Sequence, residues 1–364
     1  MDKGCFTIAG EFLLIRVNEP TLSPEYKEFF QIVKPAGVHF AKEAFLQGED
    51  YSTWHSEYCK LRDEISTLSG RKNIIWALDH EGGRVHRVPA PLTRFPYPLN
   101  WEYQAREVGK VVATEMRSIG INLVFGPSLD IFSNESNRVI GPRSFGKTAA
   151  AVDQFTSMYI RAVEEEGVLT TLKHFPGHGN TNEDSHFELP TLDTSLEEVI
   201  ENEVKPFEYA INGGARAVML AHILFPRVDK ELPSSLSPVF ARELLRERLG
   251  YRHLALTDDL DMKAIADNYS PTQIAESMLD NHVDIGIFNH HLDHAYAVAT
   301  ELEKLFTKKK EALSILKKQR HLFHLGLEQH SPHLIPSLTL ERHEALAASI
   351  PDQYSVEIKE FTGA

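Results

Sequence analysis

Short apolar or β-branched runs alternate with amphipathic stretches over most of this chain. The runs at 12–17, 37–40, 73–78, 122–125, 169–172, 217–220, 253–257 and 284–288 have the length and residue types of buried strands. Between them, 24–33, 58–69, 102–119, 149–166, 196–211, 238–249, 271–281 and 292–305 carry apolar residues at helical spacing. Eight strand–helix units predict an α/β fold, a single (β/α)8 TIM barrel. An open doubly wound sheet is the competitor. Polar clusters follow nearly every strand, which favours the barrel, where one face collects the chemistry. A lysine- and leucine-rich stretch at 307–323 reads as an extra C-terminal helix packed outside the barrel. The expected division is a barrel domain over 1–325 and a C-terminal tail over 326–364, packed on the barrel or partly disordered.

Composition narrows the partners. With 364 residues, 42% hydrophobic and 25% charged, the chain has the make-up of an ordinary globular protein. Its formal net charge of −14 argues against nucleic acid and anionic membrane surfaces. Cys5 and Cys59 are too few for a disulfide framework. The run at 12–15 is short and flanked by Glu11 and Arg16, unlike a signal segment, and no later run reaches membrane-spanning length. A cytoplasmic location is therefore expected.

The densest chemistry follows the fifth strand. Lys173-His174-Phe175-Pro176-Gly177-His178-Gly179 ends an apolar run with cations and glycines, and Asp184-Ser185-His186 comes shortly after. Proline and two glycines predict a loop here. His174 and His178 have the spacing of a zinc pair, but that spacing works only on a helix, which these residues oppose. A second reading is acid/base chemistry: Asp184 is close enough in sequence to hold one nitrogen of His186, leaving the other to exchange a proton. A polar loop with self-satisfied histidines is the third.

Other strand ends add candidates. The third delivers Asp79-His80-Glu81-Gly82-Gly83-Arg84-Val85-His86-Arg87, carboxylates and arginines on a tight turn. The fourth delivers Asp130 and, further on, Arg143. His222 after the sixth suits a support better than a catalyst. The seventh ends Thr257-Asp258-Asp259-Leu260-Asp261; strand alternation separates Asp258 from Asp259, which disfavours a calcium or magnesium site. No cofactor and no metal are expected.

Lys173 to Gly179 followed by Asp184-Ser185-His186 and Pro190, with the other segments in the same order from about 73 to 289, resembles family 3 glycoside hydrolases, specifically the β-N-acetylglucosaminidase branch. The stretch Leu244 to Tyr251 also resembles the family's lead-in to the seventh strand. His253 departs from the family's glycine there, and Phe40 to Phe45 lacks its asparagine-bearing turn. The resemblance implies that Asp258 is the nucleophile and that His186 with Asp184 is the acid/base dyad. It implies that Asp79, Arg87, Arg143, Lys173 and His174 bind the terminal sugar, with Glu81, Arg84 and Asp130 as scaffold. Lys173 is the cation expected to keep Asp258 ionised, and glycines 177 and 179 are expected to let the acid/base loop close over substrate. The implied activity is retaining hydrolysis of terminal β-linked N-acetylglucosamine, with cell-wall muropeptide fragments as the source. Phosphorolysis, a broader β-glycosidase and an inactive sugar-binding barrel remain as alternatives. The expected partner is a carbohydrate, with no nucleic acid or membrane, and a monomer is favoured.

Overall fold

The computed structural model describes residue 6, residues 8–181 and residues 189–354. Its strands are β1 (Leu13–Val17), β2 (Gly37–Phe40), β3 (Ile75–Gly82), β4 (Val85–His86), β5 (Leu123–Ser128), β6 (Leu169–Phe175), β7 (Ala217–Leu220), β8 (Leu254–Asp259) and β9 (Ile285–Phe288). All except β4 pair in parallel around a ring that closes where β2 pairs with both β1 and β3. The short β4 folds back antiparallel on β3. This is the closed eight-stranded (β/α)8 barrel that the alternation predicts.

Alternation along each strand sorts the side chains into two cores. Leu14, Ile75, Ala77, Leu123, Phe125, Leu169, Ala217, Met219, Leu254, Leu256, Ile285 and Ile287 fill the barrel interior. Their neighbours, such as Trp76, Leu78, Val124, Leu172 and Val218, face the surrounding helices. The stretch read as an outer helix forms Lys310–His324, and its Phe323 joins the interior cluster, so this helix closes the N-terminal mouth of the barrel.

Four strands run past their expected ends, β8 by two residues to Asp259. β3, β5 and β6 continue three or four residues beyond 78, 125 and 172, and in β3 and β6 the charged residues there neutralise one another inside the barrel mouth. The stretch at 196–211 divides into Leu196–Glu201 and Lys205–Asn212, since Pro206 belongs in a first turn and cannot continue a helix. The tail expected from 326 onward contains a helix, Ser337–Ser349, that buries Leu340, His343 and Ala347. Its anchor is polar and was invisible to an apolar periodicity: His343 Nδ1 lies 2.9 Å from Oε1 of the fully buried Glu115, which also accepts from the Thr93 backbone N–H and hydroxyl.

A second buried charge pair ties β8 to its neighbours. Arg246, on the helix Val239–Arg248, donates to Asp284 Oδ2 at 2.6 Å and to the carbonyls of His253 and His282. Asp284 also accepts from the Ala255 backbone N–H. Removing the carboxylate leaves a guanidinium with no counter-charge at 2% exposure. Asp284→Ala is expected to destabilise the fold by about 3–5 kcal/mol in urea unfolding, with a smaller effect for Asp284→Asn. A loss under about 1 kcal/mol for the alanine variant would show that the pair carries no such burden.

Candidate active site

The C-terminal ends of the barrel strands surround a cavity of about 580 Å³. Continuing five of the interior rows by two residues reaches its wall: Arg16 after Leu14, His39 after Gly37, Asp79 after Ala77 with Glu81 two further on, Asp258 after Leu256, and Asn289 after Ile287. Strand periodicity therefore aims apolar side chains at the barrel floor and polar ones at its mouth.

One wall is a network of compensated charges. Lys173, 3% exposed, places Nζ 2.7 Å from Asp79 Oδ1 and 2.5 Å from Glu81 Oε1. Arg143 grips Glu81 with both arms, Nε to Oε2 at 2.8 Å and Nη2 to Oε1 at 2.9 Å. Burial acts to raise the pKa of Asp79, but Lys173, His39 and Arg87 hold it well below the usual carboxylate range. Burial likewise opposes Glu81, yet Arg143 and Lys173 bring it down to about 2. Burial would lower Lys173, and the two carboxylates overcome that and raise it. The ammonium of Lys173 is thus held between Asp79 and Glu81. Arg143 lines the cavity with its guanidinium already held by Glu81, while Arg87 is half-buried at the same wall.

The adjoining part of the site, behind the ends of β5 and β6, is organised by Asp130, which is fully buried. Its Oδ2 accepts from Ser128 Oγ at 2.8 Å and faces His174 Nδ1 at 2.7 Å. Its Oδ1 accepts the backbone N–H groups of His174 and His178, the latter at 2.7 Å. Burial opposes ionisation of Asp130, but His174 and His178 keep its pKa far below normal. Asn137 adds hydrogen bonds from Nδ2 to the carbonyls of His178 and Gly179. Lys173 and His174 ride on the end of β6 itself, where a loop was expected.

The glycines at 177 and 179 are both needed for close packing. Gly177 has φ +135° and packs on Glu203, where an added Cβ would lie 2.6 Å from that residue's Cβ. A Cβ on Gly179 would fall 1.8 Å from the Ile131 carbonyl oxygen. Both glycines permit close approach of the chain to its neighbours; the loop expected to close over substrate continues outside the described residues. Asp184 and His186, the expected acid/base dyad, lie outside the described residues.

Asp258 sits on β8 and lines the cavity, and its Oδ1 accepts the Asp259 backbone N–H at 2.8 Å. Asp259 faces away: its Oδ1 accepts from the backbone N–H groups of Asp261 and Asn289. Burial first, then Asp261 and Asp258, push the Asp259 pKa up to about 7. Asp261 instead receives the backbone N–H groups of His290 and His291 and lies 2.7 Å from His294 Nδ1. The three carboxylates therefore do not converge, and among the described residues no trio of His, Cys, Asp or Glu gathers as a metal site. His222 is a support, with Nδ1 2.6 Å from Ser235 Oγ and Nε2 3.0 Å from the Asp259 carbonyl.

Sequence reasoning missed Arg16, His39 and Asn289. His39 bridges Asp79 Oδ2 at 3.0 Å and Asn289 Oδ1 at 3.2 Å. The signal was present: each is a polar residue two positions beyond an interior apolar or glycine position. His253, noted as a departure, lies before β8 at the opposite end of the barrel, where its carbonyl serves Arg246.

The sequence matches the glycosyl hydrolase family 3 N-terminal domain over residues 43–322. A beta-hexosaminidase of Xanthomonas campestris pv. campestris is 32% identical over 302 residues, covering 80% of this chain and 87% of that protein. Beta-hexosaminidase A of Pseudoalteromonas piscicida is 34% identical over 294 residues, covering 75% of this chain but 48% of its relative, so the chain spans about half of that longer protein. Among solved structures, a family 3 β-N-acetylglucosaminidase from Paenibacillus sp. str. FPU-7 superposes with a TM-score of 0.83 at 29% identity, over 93% of this chain and 67% of that one. Sharing the family's N-terminal-domain sequence over most of its length, this chain belongs to glycosyl hydrolase family 3.

Proposed function

We propose that the chain is a retaining β-N-acetylglucosaminidase that removes terminal β-linked N-acetylglucosamine, with Asp258 as nucleophile. The observation that carries this reading is Asp258 opening onto a cavity walled by Asp79, Arg87, Arg143, Lys173 and His174, in a chain whose relatives are beta-hexosaminidases. Asp258 attacks the anomeric carbon while His186 protonates the departing oxygen; His186 then takes a proton from water as the glycosyl ester is hydrolysed. Asp184 stabilises the imidazolium. An unperturbed imidazole titrates near ~6.5, so no burial is needed to tune it for this exchange.

Asp79 is held ionised and immobile between Lys173 and His39, which suits it to accept hydrogen bonds from sugar hydroxyls. Arg143, fixed by Glu81, would present its remaining N–H toward the same sugar. Muropeptide fragments met in the cytoplasm are the source we favour for the substrate. Phosphorolysis is the second reading, favoured by Arg16, Arg84, Arg87 and Arg138 around the cavity, a cationic rim suited to an anion.

The test is turnover of an aryl β-N-acetylglucosaminide beside the matching β-glucoside, without phosphate and then with it. Preference for the acetamido sugar and release of free sugar in both buffers is the expected result. A glycosyl phosphate product would replace hydrolysis by phosphorolysis, and saturable binding without turnover would identify an inactive barrel.

A further inference from the structure

At the opposite end of the barrel a second cavity, of about 480 Å³, is lined by Arg71, Lys72, Lys317, Arg320, His321 and His324. Glu11 is the one carboxylate among the described residues that line it. Ala36 and Asn73, which precede β2 and β3, mark this as the N-terminal face, remote from Asp258. The chain as a whole carries a formal charge of −14, so the excess of cations at this cavity is local. The segments that meet here are far apart in sequence: the turn before β1, the loop before β3 and the helix Lys310–His324.

The arginines are oriented in advance. Arg320 is 4% exposed, with its guanidinium carbon 3.9 Å from the centre of the Phe12 ring and Nη2 3.4 Å from Glu11 Oε2. Its Nη1 is a buried donor with no acceptor, and His324 Nδ1 is likewise unpaired. Arg71 donates Nε to the Lys34 carbonyl, which fixes the side chain and leaves its terminal nitrogens for other partners. Burial lowers the pKa values of Arg71, Arg320 and His324, and Arg320 and Arg71 lower His324 further, so the cations are close enough to repel. Glu11 and, from beneath, Asp284 offset part of that repulsion on Arg320. Held cations with unused donors and too few counter-charges describe a cradle for a multiply charged oxyanion.

We propose that this cavity binds the phosphoryl group of a phosphorylated small molecule, and that binding clamps the helix Lys310–His324 to the loops preceding β1 and β3. The ligand stabilises the native barrel, because it engages a surface that exists only when these three segments are assembled. Nothing in the glycosidase chemistry requires the site, which lies at the other end of the barrel from the sugar cavity.

The experiment is calorimetric binding and thermal unfolding of the full chain with inorganic phosphate, pyrophosphate and citrate, against sodium chloride at equal ionic strength. Lys72 and Lys317 are exposed, so Lys72→Glu/Lys317→Glu should fold; Lys72→Ala/Lys317→Ala is the milder second variant. Saturable binding of one phosphate or pyrophosphate per chain is expected, with a rise in Tm of about 2 °C or more. The charge-reversal variant should bind at least about tenfold more weakly. Equal binding by wild type and both variants would overturn the proposal, since it would place the anion in the sugar cavity or reduce the effect to general salt exclusion. Citrate binding more tightly than pyrophosphate would overturn the assignment to a phosphoryl ligand.

Discussion

Asp258→Asn is expected to lower kcat by on the order of 10⁴-fold or more on aryl and alkyl β-N-acetylglucosaminides alike, because both pass through the same glycosyl ester. The substitution keeps the shape of the side chain and a carbonyl oxygen to accept the Asp259 N–H now bonded to Oδ1. What is lost is the negative charge proposed to form the bond to the anomeric carbon. Stability should change little, since Asp258 is only partly buried at the cavity wall. The variant should still bind the sugar through Asp79, Lys173 and His174, so titration with N-acetylglucosamine separates a chemical defect from a binding one. A variant retaining more than about a tenth of wild-type turnover would remove Asp258 from the role of nucleophile.

His186→Ala should show a different signature. General acid assistance matters most where the leaving oxygen is a poor leaving group, so a loss of about 10²–10⁴-fold is expected on alkyl or sugar aglycones. On an activated aryl glycoside, which departs without a proton, formation of the ester should be nearly unaffected. Its hydrolysis should become limiting, visible as a burst of aryl alcohol before a slow steady state. Equal loss on both substrate classes, without a burst, would argue against the acid/base role.

The positions of the site residues were legible to different degrees. Asp258 was singled out by its resemblance to the family's threonine–aspartate pair; strand alternation said only that Asp259 should face the other way, and β8 does separate Asp258 from Asp259. His222 was legible as a support: a lone histidine at a strand end finds partners, here Ser235 and the Asp259 carbonyl. Lys173 was recognisable as a site residue, but its partners were not. They lie on β3, which is not even adjacent to β6 in the sheet, and only closure of the barrel brings Asp79 and Glu81 within 2.7 Å and 2.5 Å of its ammonium.

Charge pairing also explains where boundaries slipped. Reading a strand as ending at its first charge assumes that the charge must reach water. In β3 and β6 it reaches another charge instead, and the strand continues. The helix Ser337–Ser349 escaped notice for the same reason, since His343 and Glu115 supply an attachment that no apolar stripe announces.

Local order in the sequence determined the barrel, because its alternation of strand and helix patterns is a property of neighbouring residues and repeats eight times. It also marked the strand ends as the place for chemistry, while the choice of Asp258 on β8 came from the resemblance to family 3. The tertiary structure alone decided which charges neutralise one another, which glycines serve close packing, and that a cationic cavity forms at the far end. Those outcomes depend on distances between residues far apart in the chain, and burial makes each distance count by removing the water that would otherwise screen it.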